Sequence, residues 1–106
     1  MNTVFLNRPA TTPRRREGDR KPVRLIASIR ERSSTAHDAV ISDLSRTGCQ
    51  VSNIFLRAGS PIWVRFGSLA PIESRVIWAR SDIAGIRFEL PLHPAVLDHI
   101  ANRVAR

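Results

Sequence analysis

The stretch that decides the fold is VRLIASIR, residues 23–30, where Leu25, Ala27 and Ile29 alternate with Arg24, Ile26, Ser28 and Arg30. Alternation at period two sends successive side chains to opposite faces of an extended chain, which predicts a half-buried strand. Downstream the pattern recurs. Residues 37–42 read as a second strand, with Ala39 and Ile41 on one face and Val40 on the other. Cys49, Val51 and Ile54 resume the apolar period. Residues 62–66 place Ile62, Val64 and Phe66 on one side and Trp63 and Arg65 on the other. Residues 73–80 place Val76 and Trp78 together and Ile77 opposite, and residues 85–90 turn Ile86 and Phe88 inward. Glycines and prolines at residues 58–61 and 67–71 mark turns between these runs, and residues 81–84 make a further turn.

The C-terminus changes period. Pro94 suits a first helical position. Val96, Leu97, Ile100 and Val104 then recur at helical spacing, with Asp98, Asn102 and Arg103 off that stripe. Short strands at close spacing followed by one helix predict a mainly β domain, a small antiparallel barrel with a helical plug or lid.

Before the first strand the composition is different. Residues 1–13 carry Pro9, Thr11, Thr12 and Pro13 and no hydrophobic period, as in a disordered leader. Residues 14–22 are basic and end at Pro22, so they read as an extended arm rather than an amphipathic helix. The expected organisation is a leader over 1–13 and a single domain over 14–106. A chain of 106 residues supplies one modest core. Its net charge is +8, and Arg8, Arg14, Arg15, Arg16, Arg20, Lys21 and Arg24 face only Glu17 and Asp19. Such a concentration attracts anions: nucleotide, nucleic acid or membrane headgroup.

Several classes are set aside. Cys49 is the single cysteine, which excludes an internal disulfide and a cysteine cluster for zinc. It reads as a buried structural thiol. The apolar run Val4–Leu6 is far shorter than a signal-peptide core, and no window has the apolar length to span a bilayer. Neither terminus carries a lipidation signal, so the expected location is the cytoplasm. His37, His93 and His99 lack metal-ligand spacing, and no nucleophile or nucleotide-hydrolysis motif occurs. Neither catalysis nor a metal or redox cofactor is expected. Trp63 and Trp78 fall in strand patterns and read as core or barrel-wall residues.

Two motifs remain, RRREGDR at residues 14–20 and DLSRTG at residues 43–48. Arginine offers a planar fork of donors that fits phosphate oxygens, stacks on aromatic rings and matches the O6/N7 edge of guanine. Arg16 and Arg20, four apart, converge on one ligand if the arm curls. Asp43 suits the N–H groups of a purine edge, Ser45 can donate to a phosphate oxygen, and Gly48 permits positive φ and a close backbone approach. A carboxylate repels phosphate but accepts from guanine, so the set suits a guanine nucleotide. Read alone, DxSxxG is also a plain turn with local side-chain bonds, and an arginine run is also a solvated tail.

In this order and strand context the two motifs resemble those of the PilZ family, which binds the bacterial second messenger cyclic di-GMP. The family pattern RxxxR then (D/N)xSxxG stands here as Arg16-Glu-Gly-Asp-Arg20 and Asp43-Leu-Ser45-Arg-Thr-Gly48. The segment RVIWARSDIAGIRFE, residues 75–89, resembles the family's last strand pair, and the likeness covers about residues 14–100. It implies a six-stranded antiparallel β-barrel with a C-terminal helix and a flexible basic N-terminal arm. It also implies that Arg16 and Arg20 grip phosphates and guanine faces, Asp43 reads a guanine edge, Ser45 assists and Gly48 shapes the turn. Arg15 stands where the family varies with ligand number, and an arginine there favours an intercalated ligand dimer. Arg20-Lys-Pro-Val-Arg24 is formally a second RxxxR. Arg16/Arg20 is preferred, because Arg24 starts the strand and Pro22 stiffens the alternative.

The resulting expectation is a non-catalytic cyclic di-GMP receptor whose ordered arm alters contact with a partner protein. A ligand-independent adaptor of the same family and a nucleic-acid-binding small barrel are the alternatives. Few aromatics and no tyrosine disfavour the latter.

Overall fold

The computed structural model describes residues 21–32 and 34–104. The leader and the arginine-rich arm, with Arg15, Arg16 and Arg20, lie outside the described residues. Six strands, β1 (Lys21–Glu31), β2 (His37–Leu44), β3 (Gly48–Ser52), β4 (Pro61–Arg65), β5 (Ile72–Arg80) and β6 (Ile83–Phe88), precede one helix, α1 (Pro94–Val104). They close into a barrel in the order β1-β2-β3-β6-β5-β4, with every neighbouring pair antiparallel. Closure leaves no strand edge unpaired.

The alternating residues fill the interior. Ala27 and Ile29 of β1, Ala39 and Ile41 of β2, Val51 of β3, Ile62 and Val64 of β4, and Val76 of β5 are all buried. Leu97 and Ile100 of α1 join the same apolar cluster, with Phe66 and Leu92. His93 caps the helix: its Nδ1 accepts from the Ala95 N–H at 3.0 Å. The buried stripe is Leu97 and Ile100, whereas Val96, expected on it, is 37% exposed. Val96 lies one residue round from Leu97 and falls at the stripe's solvent margin.

Strand ends and phases differ from expectation at informative places. β1 begins at Lys21 rather than Val23, since Lys21 pairs with Leu44 and Pro22 with Asp43. Proline is tolerated there because the register shifts between Pro22 and Leu25. β2 runs past Ser42 to Leu44 through a second irregularity between Ile41 and Asp43. β6 ends at Phe88, leaving Leu90 78% exposed. On β5 the register shifts between Val76 and Trp78, so these two do not share a face. Val76 is buried and Trp78 is 41% exposed, which corrects the placing of the two on one face and leaves Trp78 on the barrel wall rather than in the core.

Candidate functional site

The DLSRTG residues end β2, form a three-residue loop at Ser45, Arg46 and Thr47, and begin β3. The Ser45 N–H donates to the Gly48 carbonyl at 2.9 Å and closes the turn. Ser45 Oγ accepts from the Thr47 N–H at 3.2 Å and lies 3.2 Å from Thr47 Oγ1. These local bonds are what a plain turn of this composition makes. They also hold the Ser45 hydroxyl at the rim of a groove.

The groove, of about 330 Å³, lies on the outer wall of the barrel, and Asp43, Ser45 and Gly48 all line it. Gln50, Trp78 and Arg87 line it too. The pairings explain the grouping: Pro22 opposes Asp43, Asp43 opposes Gln50, Gln50 opposes Gly85, and Gly85 opposes Trp78. One transverse row therefore crosses five strands. The neighbouring row pairs Gly48 with Arg87 and Arg87 with Arg75. The Arg75 guanidinium is engaged elsewhere, donating to the Gly59 carbonyl at 2.8 Å and lying 3.8 Å from Glu89.

Gly48 does not adopt the positive φ that its motif suggests; a Cβ there would collide with the backbone carbonyl oxygen of Ile86. Glycine is needed because β3 and β6 approach too closely for a side chain. Beneath the groove Cys49 is buried, and its thiol is pushed up to about 12, first by desolvation and then by the charge of Asp43. It stays protonated and is not a nucleophile at neutral pH. Among the described residues, no group of three or more His, Cys, Asp or Glu is placed to hold a metal ion. None of their helices is long and apolar enough to cross a membrane.

Sequence reading missed Gln50, Trp78 and Arg87. Gln50 follows Gly48 by two and shares its face, and Arg87 alternates with buried Ile86 and Phe88, so both were accessible to pattern reading. Trp78 was not, because its face depends on the bulge. Of the expected site, Asp43, Ser45 and Gly48 come together on one groove. β1 starts beside it, with Lys21 opposite Leu44.

A closed six-stranded antiparallel barrel with a C-terminal helix and a polar groove at a DxSxxG turn defines a small β-barrel module. The chain belongs to the PilZ domain family, whose profile matches residues 14–106. The family is one of non-catalytic receptor modules associated with cyclic di-GMP signalling. The structure is similar to that of the PilZ domain of CeSA from a cellulose-synthesizing bacterium, with a TM-score of 0.62 and 14% identity. That match covers 82% of this chain and 98% of the other, and at this identity the likeness is one of fold. No match to a curated protein is found.

Proposed function

We propose that this protein is a non-catalytic receptor for cyclic di-GMP, with Arg15, Arg16, Arg20, Asp43, Ser45 and Gly48 as its binding residues. The observation that carries the reading is the shared groove of Asp43, Ser45 and Gly48, beside which β1 begins. Arg20 is one peptide bond from Lys21, so the arm joins the barrel next to the DxSxxG turn. The carboxylate of Asp43 accepts from guanine N–H groups, Ser45 donates to phosphate, and the arginines bind phosphate oxygens and stack on bases. Arg15 adds a stacking surface for a second guanine.

Ordering the arm costs roughly 1–2 kcal/mol per fixed backbone residue, and charge-assisted contacts to a dianion offset this. Ligand binding then changes the surface offered to a downstream partner protein in the cytoplasm, through the differential affinity of the ligand for the two states of the arm. Calorimetric titration with cyclic di-GMP, with GTP and cyclic di-AMP as controls, tests the reading. Selective heat with cyclic di-GMP supports it and gives the stoichiometry; absence of binding rejects it and leaves a ligand-independent adaptor.

A further inference from the structure

Ile26, Val40, Ser52 and Ile83 pair in turn across β1, β2, β3 and β6. Each alternates with buried neighbours: Ala27, then Ala39 and Ile41, then Val51, then Ala84. All four therefore face outward in one transverse row. Other outward positions on these strands are polar or charged, among them Arg24, Ser28, Asp38, Gln50 and Arg87. This row is apolar instead, with Ile26 57% exposed, Ile83 36% exposed and Val40 half-buried. Ser52 is the small residue between Val40 and Ile83, so the row is a shallow trough. The Ile54 N–H donates to the Asp82 carbonyl at 3.4 Å, which returns the loop after β3 to the start of β6. Phe55, next in that loop, is 78% exposed. Large apolar side chains gathered on one outer patch mark a contact surface.

The chain that precedes β1 supplies the occupant. Within residues 1–20 the apolar run is Val4-Phe5-Leu6. Leu6 lies 15 residues before Lys21, a reach of about 50 Å when extended. The trough crosses β1 at Ile26, five residues beyond Lys21, which is about 17 Å along the strand. The run therefore reaches the trough with slack. A tether of this kind holds the segment at roughly millimolar effective concentration, so three apolar side chains suffice for contact. The closed barrel offers no strand edge, and docking uses side chains alone. Charge agrees with this occupant. Residues 1–13 carry Arg8 and no acid, and Asp38 and Asp82 flank the row on the side away from the groove. Arg24 stands on the groove side and Arg80 at the end of the row.

We propose that Val4-Phe5-Leu6 folds back onto the outward row of Ile26, Val40 and Ile83, beside Phe55, and covers it. Residues 7–20, which hold Arg15, Arg16 and Arg20, then form a loop fastened at both ends. Such a loop has lost part of its freedom before any ligand arrives. The proposal concerns the ligand-free chain and does not rest on the receptor function.

The test is methyl and aromatic NMR of the full chain without ligand. Nuclear Overhauser contacts are expected from the Phe5 ring to the methyl groups of Ile26, Val40 and Ile83. Phe5→Ser removes these contacts and shifts those methyl signals, while the signals of Val96, on α1, stay in place. Unchanged signals from buried Ile41 and Val51 verify that the variant keeps the barrel; if they move, the wild-type contacts decide. Absence of Phe5 contacts in the wild type, with the row's signals unmoved by Phe5→Ser, overturns the proposal and leaves the row to a partner protein. Signals that move on dilution and not with Phe5→Ser assign the row to a second copy of the chain, and also overturn it.

Discussion

Arg46 and Leu92 are bonded to each other in both directions. The Arg46 Nε donates to the Leu92 carbonyl at 2.9 Å, and the Leu92 N–H donates to the Arg46 carbonyl at 2.7 Å. The Phe88 N–H adds a bond to the Thr47 carbonyl at 2.9 Å. The turn that carries Ser45 and Gly48 is therefore fastened to the segment leading into α1. Groove and helix are mechanically connected through this clamp.

Arg46→Ala removes the side-chain half of the clamp and leaves the backbone half. A loss of about 1 kcal/mol is expected, the ordinary net value of one hydrogen bond. Urea denaturation measures it, and hydrogen exchange should quicken at the first turn of α1. Unchanged exchange there would show that the clamp does not hold the helix.

Arg16→Ala and Arg20→Ala are each expected to abolish cyclic di-GMP binding while the barrel's circular dichroism stays that of the wild type. Both lie outside the described residues, and the buried core among the described residues is built from positions 27 to 100. Binding by the wild type should weaken as salt is raised, because screening reduces the attraction between a basic arm and a dianion. Wild-type affinity in both variants would remove the arm from the site.

Gly48→Ala forces a Cβ against the Ile86 carbonyl, and β3 and β6 must separate to admit it. The expected cost is about 1–3 kcal/mol, the range for overpacking a tight site. Thermal unfolding without ligand measures it. An unchanged Tm would mean that the strand pair yields freely.

Cys49 makes stability depend on alkaline pH. Its pKa rises from the ordinary thiol value of 9.0 to about 12 in the fold, so the native state holds the proton more tightly than the unfolded chain. Its contribution is fully present below pH 9 and is lost as pH rises through 12. The chain has no tyrosine and lysine at position 21 alone, so few other side chains titrate in that window. Urea midpoints at rising pH should fall in the wild type and fall less in Cys49→Ala. Parallel curves for the two proteins would assign the loss to another group.

Much of the barrel was legible because alternation is written into each strand separately. Ala27 and Ile29, Ala39 and Ile41, and Ile62 and Val64 all point inward as their spacing predicts. The clustering of Asp43, Ser45 and Gly48 was legible for a similar reason, since all three lie close together in sequence around one hairpin loop. Trp78 was misplaced because nothing local distinguishes RVIWAR with a bulge from RVIWAR without one. The positive φ expected of Gly48 was not met either. A short motif suggests backbone freedom, whereas the constraint comes from Ile86, a residue far along the chain.

What the sequence alone determined is the set of elements, their order and the chemistry carried by the two motifs, because period, turn residues and spacing are local properties. What the tertiary structure decided is which way Asp43 and Trp78 face, what lies against Gly48 and what Arg46 holds. Each of these depends on register, and register is set by hydrogen bonds to a partner strand or segment that the local pattern does not contain.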